Sequence, residues 1–170
     1  MVIKISGLSD DVHEFVFEEK IEKLELKEPF FGNYVAKIEL KKFHNQIILN
    51  SDIYTTASFQ CDRCSSDFIA DLQNKFQVVY FFDNYPEENN LENVLYLPAE
   101  TDKINLFNEL RDYALLSVPM KKLCKEDCKG LCYTCGKNLN DGACDCEKQR
   151  VDPRWQPLIE LKNKMNIKLN

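Results

Sequence analysis

The 170-residue sequence predicts an α+β fold: an antiparallel, strand-rich body over residues 1–120 with one helix packed on it, then a small C-terminal cysteine-rich lobe over residues 121–170. Three observations carry this. Between Tyr34 and Leu40 every second residue is apolar (Tyr34, Ala36, Ile38, Leu40), the pattern of a half-buried antiparallel strand. Phe107, Leu110 and Ala114 recur at spacings of three and four, the period of a helix face. Six of the eight cysteines crowd into Cys124, Cys128, Cys132, Cys135, Cys144 and Cys146, a tract that also holds three of the five glycines.

The body opens with Val2, Ile3 and Ile5 before a Ser6-Gly7 break, and continues through Phe15-Val16-Phe17 to the Tyr34–Leu40 strand. Residues Ile47 to Phe59, rich in Ile, Thr, Tyr and Phe, form a further strand that runs directly into Cys61-Asp62-Arg63-Cys64. That places the cysteine pair at the turn of a hairpin whose returning strand is Phe68 to Phe82. The acidic tract Asp83–Asn90 then reads as an exposed loop. The helix starts with Asn105 as N-cap, adds Leu106 and Tyr113 to its apolar face, and ends before Pro119, because a residue preceding proline is pushed out of the helical region. After the cysteine tract, Asp152-Pro153 opens a short amphipathic helix. Trp155, Leu158 and Ile159 share its apolar face with Leu161, which predicts that the indole packs in a core. No internal repeat is visible, and the two cysteine segments differ in spacing.

Eight thiols are two sets of four, the number a closed structural zinc site needs. A Cys-x-x-Cys turn aims two sulfurs at one ion, and a Cys-x-Cys on extended chain puts both on one face. Gly136, directly after Cys135, supplies the positive φ such a turn requires. The spacing therefore groups Cys132, Cys135, Cys144 and Cys146, leaving Cys61, Cys64, Cys124 and Cys128 as a second set, with two zinc ions per chain. Four disulfides are the alternative for a secreted chain, and four thiolates also hold iron–sulfur clusters. Against the disulfide reading, Met1 to Ile5 begins a charged, strand-like segment rather than an apolar signal stretch, and the chain is long enough to bury a core without staples. No run approaches the roughly 18 apolar residues that span a bilayer, so the expected setting is a reducing cytoplasm with no membrane partner.

The 44% hydrophobic content excludes a disordered chain. The net charge of −6 hides an asymmetry: residues 1–119 carry 11 basic and 21 acidic side chains, whereas 120–170 carry 11 basic and 7 acidic. A basic lobe on an acidic body can orient a protein on a polyanion. Each zinc tetrathiolate would add about −2, and Lys121, Lys122, Lys125 and Lys129 read equally as a solvated loop. Catalysis finds little support. The two histidines, His13 and His44, lie on or near strands without ligand spacing, which predicts ordinary strand or surface roles. Neither a His-Glu-x-x-His nor a deaminase-type His-x-Glu with Pro-Cys-x-x-Cys is present, and Gly7 and Gly32 alone cannot form a phosphate loop. Cys61 and Cys64 sit in a hairpin rather than the βαβ setting of a thioredoxin-like dithiol.

The run from Leu123 to Asn140, with Cys124, Cys128, Cys132, Cys135-Gly136-Lys137-Asn138-Leu139-Asn140, then Cys144-Asp145-Cys146 and Asp152-Pro153-Arg154, resembles the YceD family of bacteria and plastids. Cys61-Asp62-Arg63-Cys64 with Phe68 looks like that family's other hallmark, and Ile104–Pro119 is similar to its helix before the cysteine cluster. Together these cover about 55–165. Ser65 and Tyr133 depart from the family pattern, standing where Leu and Pro are usual. The resemblance implies a non-enzymatic ribosome-biogenesis factor that promotes accumulation of large-subunit (23S) ribosomal RNA, with ribosomal RNA or ribosomal assembly proteins as partners and no small-molecule substrate. Two alternatives stay open: a zinc-binding adaptor for a ribosomal or other basic protein, and a thiol-based redox or metal-handling protein. On the RNA reading, Arg63, Lys129, Lys137, Arg150 and Arg154 are the candidate phosphate contacts, with Trp155 and Tyr133 available to stack on unpaired bases. Arg63 can equally pair with a carboxylate of the body, Asp62 or Asp67.

Overall fold

The computed structural model describes residues 1–82, 93–146 and 153–164. Two compact units divide the chain, Met1–Cys128 and Lys129–Asn170, so that the segment 121–128, with Cys124 and Cys128, belongs with the strand-rich body.

Alternation builds the first unit. Its five-stranded sheet runs in the order β2 (Val12–Lys20), β3 (Phe30–Lys42), β4 (Gln46–Gln60), β5 (Asp67–Phe82) and β6 (Val94–Leu97). On β3, Tyr34, Ala36, Ile38 and Leu40 are all buried, as their period of two predicts. Ile47, Leu49, Ile53, Ala57 and Phe59 of β4 and Leu72, Phe76, Val78 and Tyr80 of β5 continue the same core face. The opposite face is polar: Gln77 Nε2 donates to Asn50 Oδ1 (2.7 Å) and Asn50 Nδ2 to Glu39 Oε1 (3.0 Å), and Lys75 pairs with Asp52 at 3.3 Å. Between Phe31 and Val35 a bulge interrupts the β3–β4 register, and Gly32 takes the positive φ (76°) that it requires.

The helix α1 (Phe107–Leu116) covers the core face with Leu110 and Ala114, joined by Leu106 from the residue before it. Asn105 lies one residue outside the capping position, yet its Oδ1 accepts the Phe107 N–H at 3.1 Å and so does the work expected of an N-cap. Tyr113 stacks on Phe76 with ring centroids 4.2 Å apart, and Asn74 Nδ2 donates to the Tyr113 carbonyl at 2.8 Å. A 3-10 turn, Ile21–Leu24, adds two further buried side chains.

Two short strands, β6 and Lys103–Asn105, escape the sequence pattern. β1 (Val2–Lys4) pairs antiparallel with β7 (Lys103–Asn105) in a separate two-stranded sheet. β6 pairs parallel to β5, so the main sheet is antiparallel except at this edge. The expected Asp83–Asn90 loop lies outside the described residues.

The second unit carries a 3-10 turn, Pro153–Trp155, followed by α2 (Gln156–Lys164). Trp155 is 57% exposed, with Leu158 and Leu161 also exposed, so the expected core packing of the indole is not found. A shared helical face buries a side chain only when another apolar surface meets it, and among the described residues 129–164 the buried positions are Gly130 and Cys132 alone. No helix among the described residues is long and apolar enough to cross a membrane.

Candidate metal centres

The eight sulfurs gather into two clusters, Cys61/Cys64/Cys124/Cys128 and Cys132/Cys135/Cys144/Cys146, the grouping drawn from their spacing. Within each, the four sulfurs lie within 4.8 Å of one another, and none of the eight cysteines is in a disulfide.

The first cluster is built at the tip of the long β4–β5 hairpin. Gln60 and Asp67 are the last facing pair, leaving Cys61 to Ser66 as the turn. There the Ser65 N–H bonds the Cys61 carbonyl at 2.9 Å, and the Cys61 N–H bonds the Ser66 carbonyl at 2.9 Å. Ser65 adopts φ 56°, a left-handed conformation that costs a non-glycine residue roughly 1–2 kcal/mol. The segment carrying Cys124 and Cys128 is stitched to this tip. Asp62 donates its N–H to the Lys122 carbonyl (2.8 Å) and accepts the Lys122 N–H on Oδ2 (2.7 Å). Cys124 N–H points at Cys61 Sγ (3.4 Å), and Arg63 Nη1 donates to the carbonyls of Glu126 (3.3 Å) and Cys128 (2.9 Å). The sulfurs of Cys64 and Cys124 stand 3.6 Å apart and those of Cys61 and Cys128 3.8 Å apart. Four sulfurs at about 2.3 Å from a tetrahedral ion are separated by about 3.8 Å, so the cage fits one such ion. A disulfide needs about 2.0 Å.

The second cluster repeats the turn. The Gly136 N–H bonds the Cys132 carbonyl at 2.7 Å and Gly136 has φ 72°, the counterparts of Ser65 and Cys61. The unequal spacings of the two cysteine segments hid this equivalence; Gly136 signals the positive φ of the second turn, whereas Ser65 gives no such signal for the first. A two-way pairing, Cys132 N–H to the Lys137 carbonyl (2.8 Å) and Leu139 N–H to that of Gly130 (2.9 Å), closes the loop. Asn138 and Asn140 hold it from the inside: Asn140 Oδ1 accepts the Lys129 N–H (2.9 Å), while Asn138 Oδ1 accepts from both the N–H and Nδ2 of Asn140 (3.0 and 2.8 Å). Neither spacing nor composition foretells these roles, or the one Asp62 plays.

Residues 49–162, more than half of the chain, match the family described as large ribosomal RNA subunit accumulation protein YceD. The chain belongs to the YceD family. It is similar to the chloroplastic large ribosomal RNA subunit accumulation protein YCED homolog 1 of Arabidopsis thaliana, at 24% identity over 78% of this chain and 50% of the relative. The Zea mays protein of the same description is 22% identical over 69% of this chain and 50% of its own. An uncharacterised protein of Mycobacterium bovis is 26% identical over 60% of this chain and 49% of its own. The chain spans about half the length of the curated relatives it matches. No solved structure matches it.

Among the predicted RNA contacts, Arg63 is exposed, with its Nη1 donating to the carbonyls named above rather than to Asp62 or Asp67. Lys129, Lys137 and Arg154 are exposed in the second unit, Lys137 Nζ also reaching the Ala143 carbonyl (2.8 Å). Tyr133 and Trp155 are exposed in the same unit, and Arg150 lies outside the described residues. His44 is exposed at the β3–β4 turn and His13 Nε2 meets the Ser9 carbonyl at 3.1 Å; neither joins a metal cluster.

The thiols differ in acidity. Burial alone would raise Cys61, but N–H donors from Cys124, Arg63 and Cys64 outweigh it and hold the thiol at about 6. The N–H groups of Cys135 and Thr134 hold Cys132 at about 6. Burial and hydrogen bonding to Cys64 push Cys124 up to about 12, and hydrogen bonding to Cys135 together with burial does the same for Cys146. Near pH 7 a dication entering either cluster must therefore expel the Cys124 or Cys146 proton. Metal affinity is expected to rise with pH and fall as pH is lowered, more steeply below about 6 as Cys61 and Cys132 protonate. Competition with a chelator at pH 5.5 and 7.5 checks this, the expected slope being about tenfold per pH unit for each proton displaced; a flat profile would contradict it.

Proposed function

We propose that this chain is a non-enzymatic ribosome-biogenesis factor that promotes accumulation of large-subunit (23S) ribosomal RNA and works in the cytoplasm with two zinc ions per chain. The family match over residues 49–162 carries the reading. Zinc is supported by two all-thiolate sets of four, the donor set of a closed structural site, whose fixed ligands leave no open position for water or substrate. The sulfurs lie close enough to share one ion, whereas a polynuclear iron–sulfur cluster spreads its thiolates over separate irons. Ribosomal RNA contact is assigned to Lys129, Lys137, Arg150 and Arg154 of the second unit, with Tyr133 and Trp155 offering stacking surfaces.

The excess of acidic side chains in residues 1–119 favours a second reading, an adaptor that presents the acidic body to a basic ribosomal protein. Deletion of the protein tests the biological claim. Large-subunit RNA should fall relative to small-subunit RNA and recover on re-expression; an unchanged ratio would refute the function.

A further inference from the structure

We propose that Arg63 is the positioning residue of the first metal centre: its guanidinium holds the Cys124–Cys128 segment against the hairpin tip, so that the two halves of the ligand set meet before the ion arrives. The inference rests on the reading of that cluster as a zinc site. The halves come from chain segments some sixty residues apart; the paired bonds between Asp62 and Lys122 tie the start of the second segment to the tip, and Arg63 ties its far end. Arg63 sits between two ligands of one half, and its Nη1 reaches two carbonyls of the other, Glu126 at 3.3 Å and Cys128 at 2.9 Å, the second belonging to a ligand residue itself. A carbonyl pair accepting from one guanidinium fixes the turn that aims Cys128 Sγ. The guanidinium also brings a positive charge beside a centre that carries about −2 when four thiolates hold a dication.

The second centre is the internal control. Its Cys-x-x-Cys turn has the same backbone bond and the same positive φ, but Thr134 occupies the position equivalent to Arg63. There the loop is held by Asn138 and Asn140 instead. Loss of the Arg63 side chain should therefore weaken one centre and spare the other.

The test is cobalt(II) titration of the full chain against a chelator, reading the tetrathiolate absorption and the number of ions bound. Wild type should bind two, and Cys61→Ser one, which identifies the first centre. Arg63→Met should weaken the first centre by at least tenfold and leave the second unchanged. Arg63→Lys, which keeps the charge and a single donor group, should recover part of the loss, a rescue that a packing role for the long side chain would not show. Should the Met variant lose its sheet signal in circular dichroism, the Lys variant alone decides, an affinity equal to wild type at the first centre overturning the inference. Two ions held by Arg63→Met as tightly as by wild type would also overturn it, and with reduced ribosomal RNA binding would return Arg63 to phosphate contact. Wild type binding fewer than two ions would remove the metal reading itself, and the inference with it.

Discussion

Stripping the metal from the native protein is expected to unfold the second unit while the five-stranded sheet persists. The first unit owns a continuous apolar core running from Ile3 through the β3, β4 and β5 faces to Ala114, and none of those side chains depends on an ion. In the second unit, only Gly130 and Cys132 are buried among the described residues. So little apolar burial cannot offset the entropy of ordering a loop, at roughly 1–2 kcal/mol per residue for the backbone alone. A structural zinc contributes about 10–16 kcal/mol apparent, which is the scale required. Amide exchange followed by mass spectrometry should then show Cys132 and Leu139, whose N–H groups close the loop, losing protection on chelation, while the β4 amides keep theirs. The 121–128 segment should exchange faster than the sheet yet stay at the hairpin tip, where the bonds to Asp62 and Arg63 and the packing of Leu123 against the cysteines still hold it. Collapse of all strand signal in circular dichroism on chelation would contradict this division.

Reversing Lys129, Lys137, Arg150 and Arg154 together to Glu is expected to abolish most of the association with large-subunit RNA without disturbing the sheet. On the proposed reading these contacts are electrostatic, so the dependence of affinity on salt would count them. Four phosphates on single-stranded RNA correspond to a slope of roughly −3 in log affinity against log salt. Wild type should show a slope of at least that steepness, and the variant a nearly flat one. Arg63 is left out of the variant, because its Nη1 is occupied by backbone carbonyls and its loss would act through the first metal cluster. Unchanged association in the four-fold variant would move the contact to the acidic body and favour the adaptor reading.

The parts of this structure that were legible in the sequence are those set by short-range periodicity. Tyr34, Ala36, Ile38 and Leu40 declared β3 by alternation, and Leu110 and Ala114 declared the buried face of α1. The cysteine pair at the β4–β5 turn followed from the strand on either side of it. What escaped depends on partners far along the chain. β7 is three residues long and pairs with β1 across about a hundred residues, too short to show a period. β6 joins β5 in parallel, a pairing no turn signal announces. Trp155 shares a helical face with Leu158, and periodicity specifies the face but not whether anything covers it. Arg63 carried the right charge for phosphate, but its side chain meets the carbonyls of residues 126 and 128, which its local sequence does not foretell.

Crosslinking in living cells, followed by identification of the RNA and peptides joined, tests the central claim most directly. The account predicts large-subunit ribosomal RNA joined to peptides of the second unit, around Lys129, Tyr133, Lys137 and Trp155. Crosslinks confined to a ribosomal protein on the acidic first unit, with no ribosomal RNA on the second, would contradict it.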